Sequence, residues 1–130
     1  MTLRRSICLV GAALCDNGAL VTRLLERHRV LLVRRVEPGD ERSLTIADVV
    51  AIDCREAGAG RTRDLVDSLH QAITAAIVVL DGGLGRDDIA RLFRAGAQDY
   101  FSEPFNVPVI AERLEHLAES QRDGFVEDPR

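Results

Sequence analysis

Three acidic residues of this chain, Asp53, Asp81 and Glu103, stand at or directly after short segments that read as strands. Carboxylates gathered at one rim support two kinds of chemistry. They can ligate a hard divalent cation through oxygen, or a guanidinium can neutralise them, and Arg55 and Arg86 lie in the adjoining loops. Left unneutralised, such carboxylates repel one another, and at least one is pushed toward its neutral form. An internal arginine latch is the preferred reading, because a bidentate arginine–carboxylate pair needs no ion.

Other reactive residue types are scattered. Cys8, Cys15 and Cys54 form no Cys-x-x-Cys pair and lie in apolar segments, as reduced core thiols do. His28, His70 and His116 fall on separate helical segments without metal-ligand spacing and read as packing or surface residues. The Gly82-Gly83-x-Gly85 turn lacks the Gly-Lys-Ser/Thr ending and the dinucleotide spacing of phosphate cradles, so it reads as a flexible loop. No nucleophile–base pair is evident, and no enzymatic activity is expected.

The elements that must position these residues alternate between apolar runs and helical patterns. Ser6 to Val10 reads as a buried strand, and Asp16-Asn17 can cap a helix whose Leu20, Val21, Leu24 and Leu25 recur at one-face spacing. Val30 to Val36 is a second strand; Pro38-Gly39-Asp40 then breaks the chain, leaving at most a short helix over Glu41 to Ala47. Val49 to Asp53 is apolar without alternation, which implies a strand covered on both faces. Arg55 to Gly60 reads as a loop, followed by a helix turning Leu65, Val66, Leu69 and Ile73 inward and by a fourth strand over Ala75 to Leu80.

Asp87-Asp88 start a helix with Ile89, Leu92 and Phe93 facing the core, and Gly96 ends it. Asp99 to Ser102 is a short fifth strand. Asn106 caps a final helix with Pro108 in its first turn and Ile110, Leu114 and Leu117 on one stripe. Such a succession predicts a doubly wound α/β fold, a five-stranded parallel sheet with helices on both faces, whose functional residues sit at the C-terminal strand ends.

A chain of 130 residues fits one domain, expected over residues 1–119, with 120–130 as a polar tail or linker. The formal net charge of −4 gives no electrostatic footprint for nucleic acid or an anionic membrane. All 17 basic residues are arginine. Arg4-Arg5 before the apolar Ile7 to Leu14 and Cys15 mimics a short export signal, but Ala12 stands where a lipoprotein signal wants leucine, and the same residues make a good first strand. No apolar run reaches the roughly 18 residues of a membrane span, and a cytoplasmic protein is expected.

Two segments carry a family resemblance. Ala95-Gly96-Ala97-x-Asp99-Tyr100-Phe101-x-x-Pro104-Phe105 resembles the end of response-regulator receiver (CheY-like) domains, whose usual pattern is Gly-Ala-x-x-Tyr-x-x-Lys-Pro-Phe. Asp48-Val49-Val50-Ala51-Ile52-Asp53 resembles the third receiver strand, which ends in the phospho-acceptor aspartate. The resemblance covers nearly the whole chain. It implies a flavodoxin-like (βα)5 fold with strand order 2-1-3-4-5, Asp53 as the candidate acceptor and Tyr100 as the aromatic switch residue. Phe101, Pro104 and Phe105 stand beside that switch, on a face shared by the helix Asp87 to Ala95 and the helix Val107 to Leu117.

The chain departs from the family where the chemistry resides. Gly11-Ala12 stand where receivers carry the acidic pair that holds Mg²⁺, Asp81 replaces the usual Ser or Thr, and Glu103 replaces the lysine, reversing the local charge. Phosphoryl transfer depends on positioning and charge neutralisation, so most of that catalysis is expected to be absent. The resemblance therefore implies an atypical or pseudo-receiver in bacterial signalling, a protein-interaction module without a cofactor. Its partner would be a histidine kinase, an output domain or a second receiver, with homodimerisation through the same face. Two alternatives remain open: a working acceptor at Asp53 with a non-standard metal arrangement, and a flavodoxin-like domain binding a small ligand at the rim.

Overall fold

The computed structural model describes residues 5–35, 44, 46–57, 59–72 and 74–127. Its strands are β1 (Ser6–Val10), β2 (Arg29–Val33), β3 (Val49–Asp53), β4 (Ala76–Asp81) and β5 (Asp99–Ser102). The helices are α1 (Ala12–Cys15), α2 (Gly18–Leu25), α3 (Cys54–Ala57), α4 (Ala59–Ala72), α5 (Arg86–Ala95) and α6 (Val107–Glu127). All strand pairs are parallel, in the order β2-β1-β3-β4-β5. The strand order expected from the receiver resemblance is thus the one observed, and the chain's order reverses between β1 and β3.

Side chains along a strand point to opposite faces in turn, so the unbroken apolar run of β3 feeds two cores. Val49 and Ala51 join Ile7, Leu9, Val78 and Leu80 beneath Leu14 of α1, Leu20 and Leu24 of α2, and Ile110, Leu114 and Leu117 of α6. Val50 and Ile52 join Cys8, Val10, Ile77 and Val79 beneath Leu44, Val66 and Leu69 of α4, and Leu92 of α5. Each fully buried Leu or Ile contributes about 1.5–3 kcal/mol relative to exposure. Every residue of β3 and β4 is buried, which makes their C-terminal ends rigid mounts for whatever follows.

Helix ends follow their sequence signals with some exceptions. The Leu20 N–H donates to Asn17 Oδ1 at 3.1 Å, so Asn17 caps α2. Asp16 does not share that role: its carboxylate accepts from Arg34 Nη1 and Nη2 at 2.8 and 3.0 Å, which holds it below its usual pKa. Asn106 caps α6 through the Val109 N–H at 3.2 Å. Helix α5 stops at Gly96, where φ is 126°.

Four expectations need correction. The stretch Arg55 to Gly60 is largely helical, since α3 follows β3 directly and α4 begins at Ala59; the alanines favour helix more than Gly60 opposes it. Strand β2 ends at Val33 rather than Val36, a residue outside the described ones. Phe93 is 43% exposed, because α5 buries only a narrow stripe centred on Leu92. Helix α6 runs ten residues past Leu117 to Glu127, so the polar stretch after residue 119 continues the helix. Pro38-Gly39-Asp40, most of the helix expected over Glu41 to Ala47, Ile73 and residues 128–130 lie outside the described residues.

Candidate functional site

Parallel register carries Asp53, Asp81 and Glu103 to one rim: Asp53 is paired with Leu80, Asp81 follows Leu80, and Asp81 is paired with Ser102, the residue before Glu103. The Asp53 side chain is fully buried, yet its charge is matched. Arg55, two residues on at the start of α3, donates from Nε to Oδ1 at 2.9 Å and from Nη2 to Oδ2 at 2.7 Å, the fork-to-fork geometry of a bidentate pair. Its backbone N–H adds a bond to Oδ1 at 2.9 Å.

The same guanidinium reaches Glu103 Oε2 with Nη1 at 3.3 Å and lies over the Phe105 ring, 4.7 Å from its centroid. Arg55 is thereby held by two carboxylates and an aromatic face, and the carboxylates, led by the hydrogen bonds to Asp53, raise its pKa further above its usual range. Of the two arginines considered for a latch, Arg55 forms it. Arg86, exposed at the first residue of α5, makes no ion pair with either carboxylate.

Gly11 closes the other side of Asp53. It follows β1 with φ 117°, a conformation that a residue with a side chain rarely adopts, and its N–H donates to the Val33 carbonyl at 2.8 Å. A Cβ there would stand 2.8 Å from Asp53 Cβ, closer than two such atoms ever pack. Gly11 is therefore packed directly against Asp53. Sequence reading registered Gly11 only as a missing ligand; a glycine directly after a buried strand was the signal for close approach.

Asp81 is buried and faces away from this ionic pair. One oxygen accepts the Gly83 N–H in a short contact, and the other accepts the Tyr100 hydroxyl in another. The Tyr100 oxygen in turn accepts the Leu84 N–H at 2.9 Å. Burial, reinforced by the hydrogen bond to Asp81, pushes the Tyr100 pKa above its ordinary value. The three carboxylates expected to repel at the rim are thus divided: Arg55 joins Asp53 to Glu103, while Asp81 is engaged with Tyr100 and the loop after β4. The backbone donors of Gly83 and Leu84 were not anticipated, since side-chain types do not announce main-chain N–H groups.

The remaining residues singled out earlier are placed as follows. Tyr100 is half-buried on the α4–α5 side of the sheet, whereas Phe101 and Phe105 pack under α6 on the opposite side and Pro104 is exposed. Cys8, Cys15 and Cys54 are buried free thiols, with Cys8 pushed up to about 12 by burial and the nearby Cys15. His28 is buried with Nε2 3.3 Å from Glu115 Oε2, and the His70 ring packs against Gly96, where a Cβ would meet its Cγ at 2.4 Å. Among the described residues, no group of three or more His, Cys, Asp or Glu side chains is arranged to hold a metal ion, and no helix is long and apolar enough to cross a membrane.

Sheet order and crossovers together define a doubly wound α/β domain with an acidic rim at the C-terminal strand ends. The chain has the fold of response-regulator receiver domains. It is similar to a response regulator from Thermotoga maritima, with 20% identity, a TM-score of 0.71, and coverage of 91% of this chain and 100% of that one. A two-component response regulator from Clostridium difficile matches with 15% identity and a TM-score of 0.75 over 89% and 97% of the two chains. A protein assigned to pilus assembly in Burkholderia thailandensis E264 matches with 16% identity and a TM-score of 0.68 over 88% and 98%. No protein-family model and no curated protein matches the chain.

Proposed function

We propose that the chain is a pseudo-receiver: a receiver-type module of bacterial two-component signalling that works by docking to another protein, with Asp53 not serving as an effective phospho-acceptor. The observation that carries this reading is the bidentate Arg55–Asp53 pair, which occupies both carboxylate oxygens with the chain's own cation. An acceptor carboxylate needs one oxygen free to attack phosphorus and the other on a metal. Gly11 supports the same conclusion, because an acid at that position would collide with Asp53. Glu103 would add repulsion toward an incoming phosphoryl group where receivers provide an ammonium.

The docking face is formed by α5, β5 and the first turns of α6, where Phe93 and Val109 are 43% and 51% exposed. A histidine kinase, an output domain or a second copy of the chain is the partner class, in the cytoplasm, with no catalytic turnover and no bound metal. The pilus-assembly neighbour favours an interaction role, since its assignment is to assembly. The test is an amide NMR titration with Mg²⁺ and then beryllofluoride, a phosphoryl mimic, with Asp53→Asn as control. An unresponsive spectrum is expected. Shifts spreading from Asp53 that vanish in the control would establish a working acceptor with a non-standard metal arrangement and overturn the proposal.

A further inference from the structure

The rim holds two sets of side-chain hydrogen bonds that share no residue. One joins Arg55 to Asp53 and Glu103; the other joins Asp81 to Tyr100 and to the loop N–H groups of Gly83 and Leu84. They come together at the backbone, where the Glu103 N–H donates to the Asp81 carbonyl at 3.0 Å, and at Gly82, where a Cβ would approach Glu103 Oε1 to 3.0 Å.

The second set ties down the connection from β4 to α5 at Gly83 and Leu84. That loop contains Gly82, Gly83 and Gly85, with Gly85 as the N-cap residue of α5 and no side chain capping the helix. A glycine-rich connection of this kind loses more chain entropy on ordering than an ordinary loop, so something must hold it. Leu84 packs on the core beneath α4 and α5, and the loop's polar contacts are those of Asp81 and Tyr100: one carboxylate oxygen takes the Gly83 N–H, and the phenol takes the Leu84 N–H while giving its own proton to the other oxygen.

We propose that Asp81 is a positioning residue that holds Tyr100 inward and clamps the Gly82–Gly85 loop, so that the start of α5 is fixed from β4 and not from the condition of Asp53. The inference deepens the pseudo-receiver reading and rests on it: the docking face is preset by a carboxylate built into the strand, where a switch would require a group added at the rim. The charged and titratable groups facing the phenol are Asp81 from β4 and Cys54 from α3. Asp81 is the one within hydrogen-bond reach.

Tyr100 is the chain's single tyrosine, and there is no tryptophan, so its absorbance and fluorescence report this clamp alone. Tyrosinate absorbance is followed against pH in the wild type, Asp81→Asn and Arg55→Ala, and the Gly83 and Leu84 amides by NMR in these three and in Tyr100→Phe. The wild-type phenol should ionise above the usual value of about 10, and Asp81→Asn should bring its midpoint back toward that value. The Gly83 and Leu84 amides should shift in Asp81→Asn and Tyr100→Phe. Arg55→Ala should leave both readouts where they are.

A wild-type midpoint at the ordinary value, an unmoved midpoint in Asp81→Asn, or an equal displacement in Arg55→Ala would overturn the proposal. If Asp81→Asn does not fold, the loop amides of Tyr100→Phe decide it, unshifted amides counting against the clamp. Failure of the pseudo-receiver reading has a different signature: a beryllofluoride response centred on Asp53 that the Asp53→Asn variant lacks.

Discussion

The two halves of the rim solve the same problem, a carboxylate at the end of a buried strand, by different physics. Around Asp53 the solution is a counter-charge: a guanidinium whose side chain is 30% exposed, shared with a Glu103 side chain that is 48% exposed. Around Asp81 it is hydrogen bonding alone, from a phenol and a main-chain N–H. An ion pair that reaches solvent is screened by salt, whereas hydrogen bonds in a drier place depend on geometry. The comparison teaches that one rim can neutralise a carboxylate with the chain's own cation on one side and tie another to a loop by hydrogen bonds on the other, through side chains that the two halves do not share.

The largest way to break this comparison is Gly11→Asp, which installs a receiver-like acid on the ionic side. Strain at a positive φ and the collision with Asp53 should together cost about 3–5 kcal/mol, read by urea unfolding. The substitution should also fail to create Mg²⁺ binding, as isothermal calorimetry would show. Next comes Arg55→Ala, which leaves Asp53 buried with only backbone N–H donation. About 2–4 kcal/mol of stability should be lost, and adding Asp53→Asn should recover part of it, because the unpaired charge is then removed.

Tyr100→Phe tests the hydrogen-bonded half and should cost about 1–2 kcal/mol. Its pH dependence has a definite sign. A phenol whose folded pKa lies above its unfolded value keeps its proton better when folded, so its contribution is intact below about pH 10 and declines as pH rises toward the folded value. The wild type should therefore lose stability in that alkaline window more steeply than the Phe variant, as thermal melts across the range would reveal. Glu103→Gln should have the smallest effect, under about 1 kcal/mol, and the difference should shrink in 1 M salt. A salt-insensitive loss there would erase the distinction between the two halves.

Much of the scaffold was legible in the residues. The boundaries of Val49–Asp53 and Asp99–Ser102 were read as they stand, since an unbroken apolar run and a turn-bounded aromatic pair leave little freedom. The parallel order came from the family resemblance. The segment after Asp53 departs from its loop signal, because two glycines, Gly58 and Gly60, announce a loop in a stretch whose alanines favour helix, and α4 includes Gly60. Arg55 was named for the latch while its division of labour was not foreseen: pairing with Asp53 and Glu103 excludes Asp81, and that depends on which way side chains leave the rim. The Asp81–Tyr100 contact connects residues 19 positions apart on the neighbouring strands β4 and β5, with helix α5 between them in the chain, a distance over which periodicity carries no information.

The short fifth strand gives the rim one common point of release. Strand β5 has four residues and lies at the end of the sheet, paired with β4. Tyr100 belongs to it and Glu103 follows it, while Asp53 and Asp81 belong to strands buried along their whole length. A local opening of β5 would withdraw Tyr100 from Asp81 and Glu103 from Arg55 at once, and leave Asp81 and the Arg55–Asp53 pair in place. In hydrogen-exchange terms, the rim amides after β5 should open at a free energy well below that of global unfolding, while those of β3 and β4 should exchange only with the whole fold. Side-chain substitutions can address the two halves separately, but thermal fluctuation opens them together.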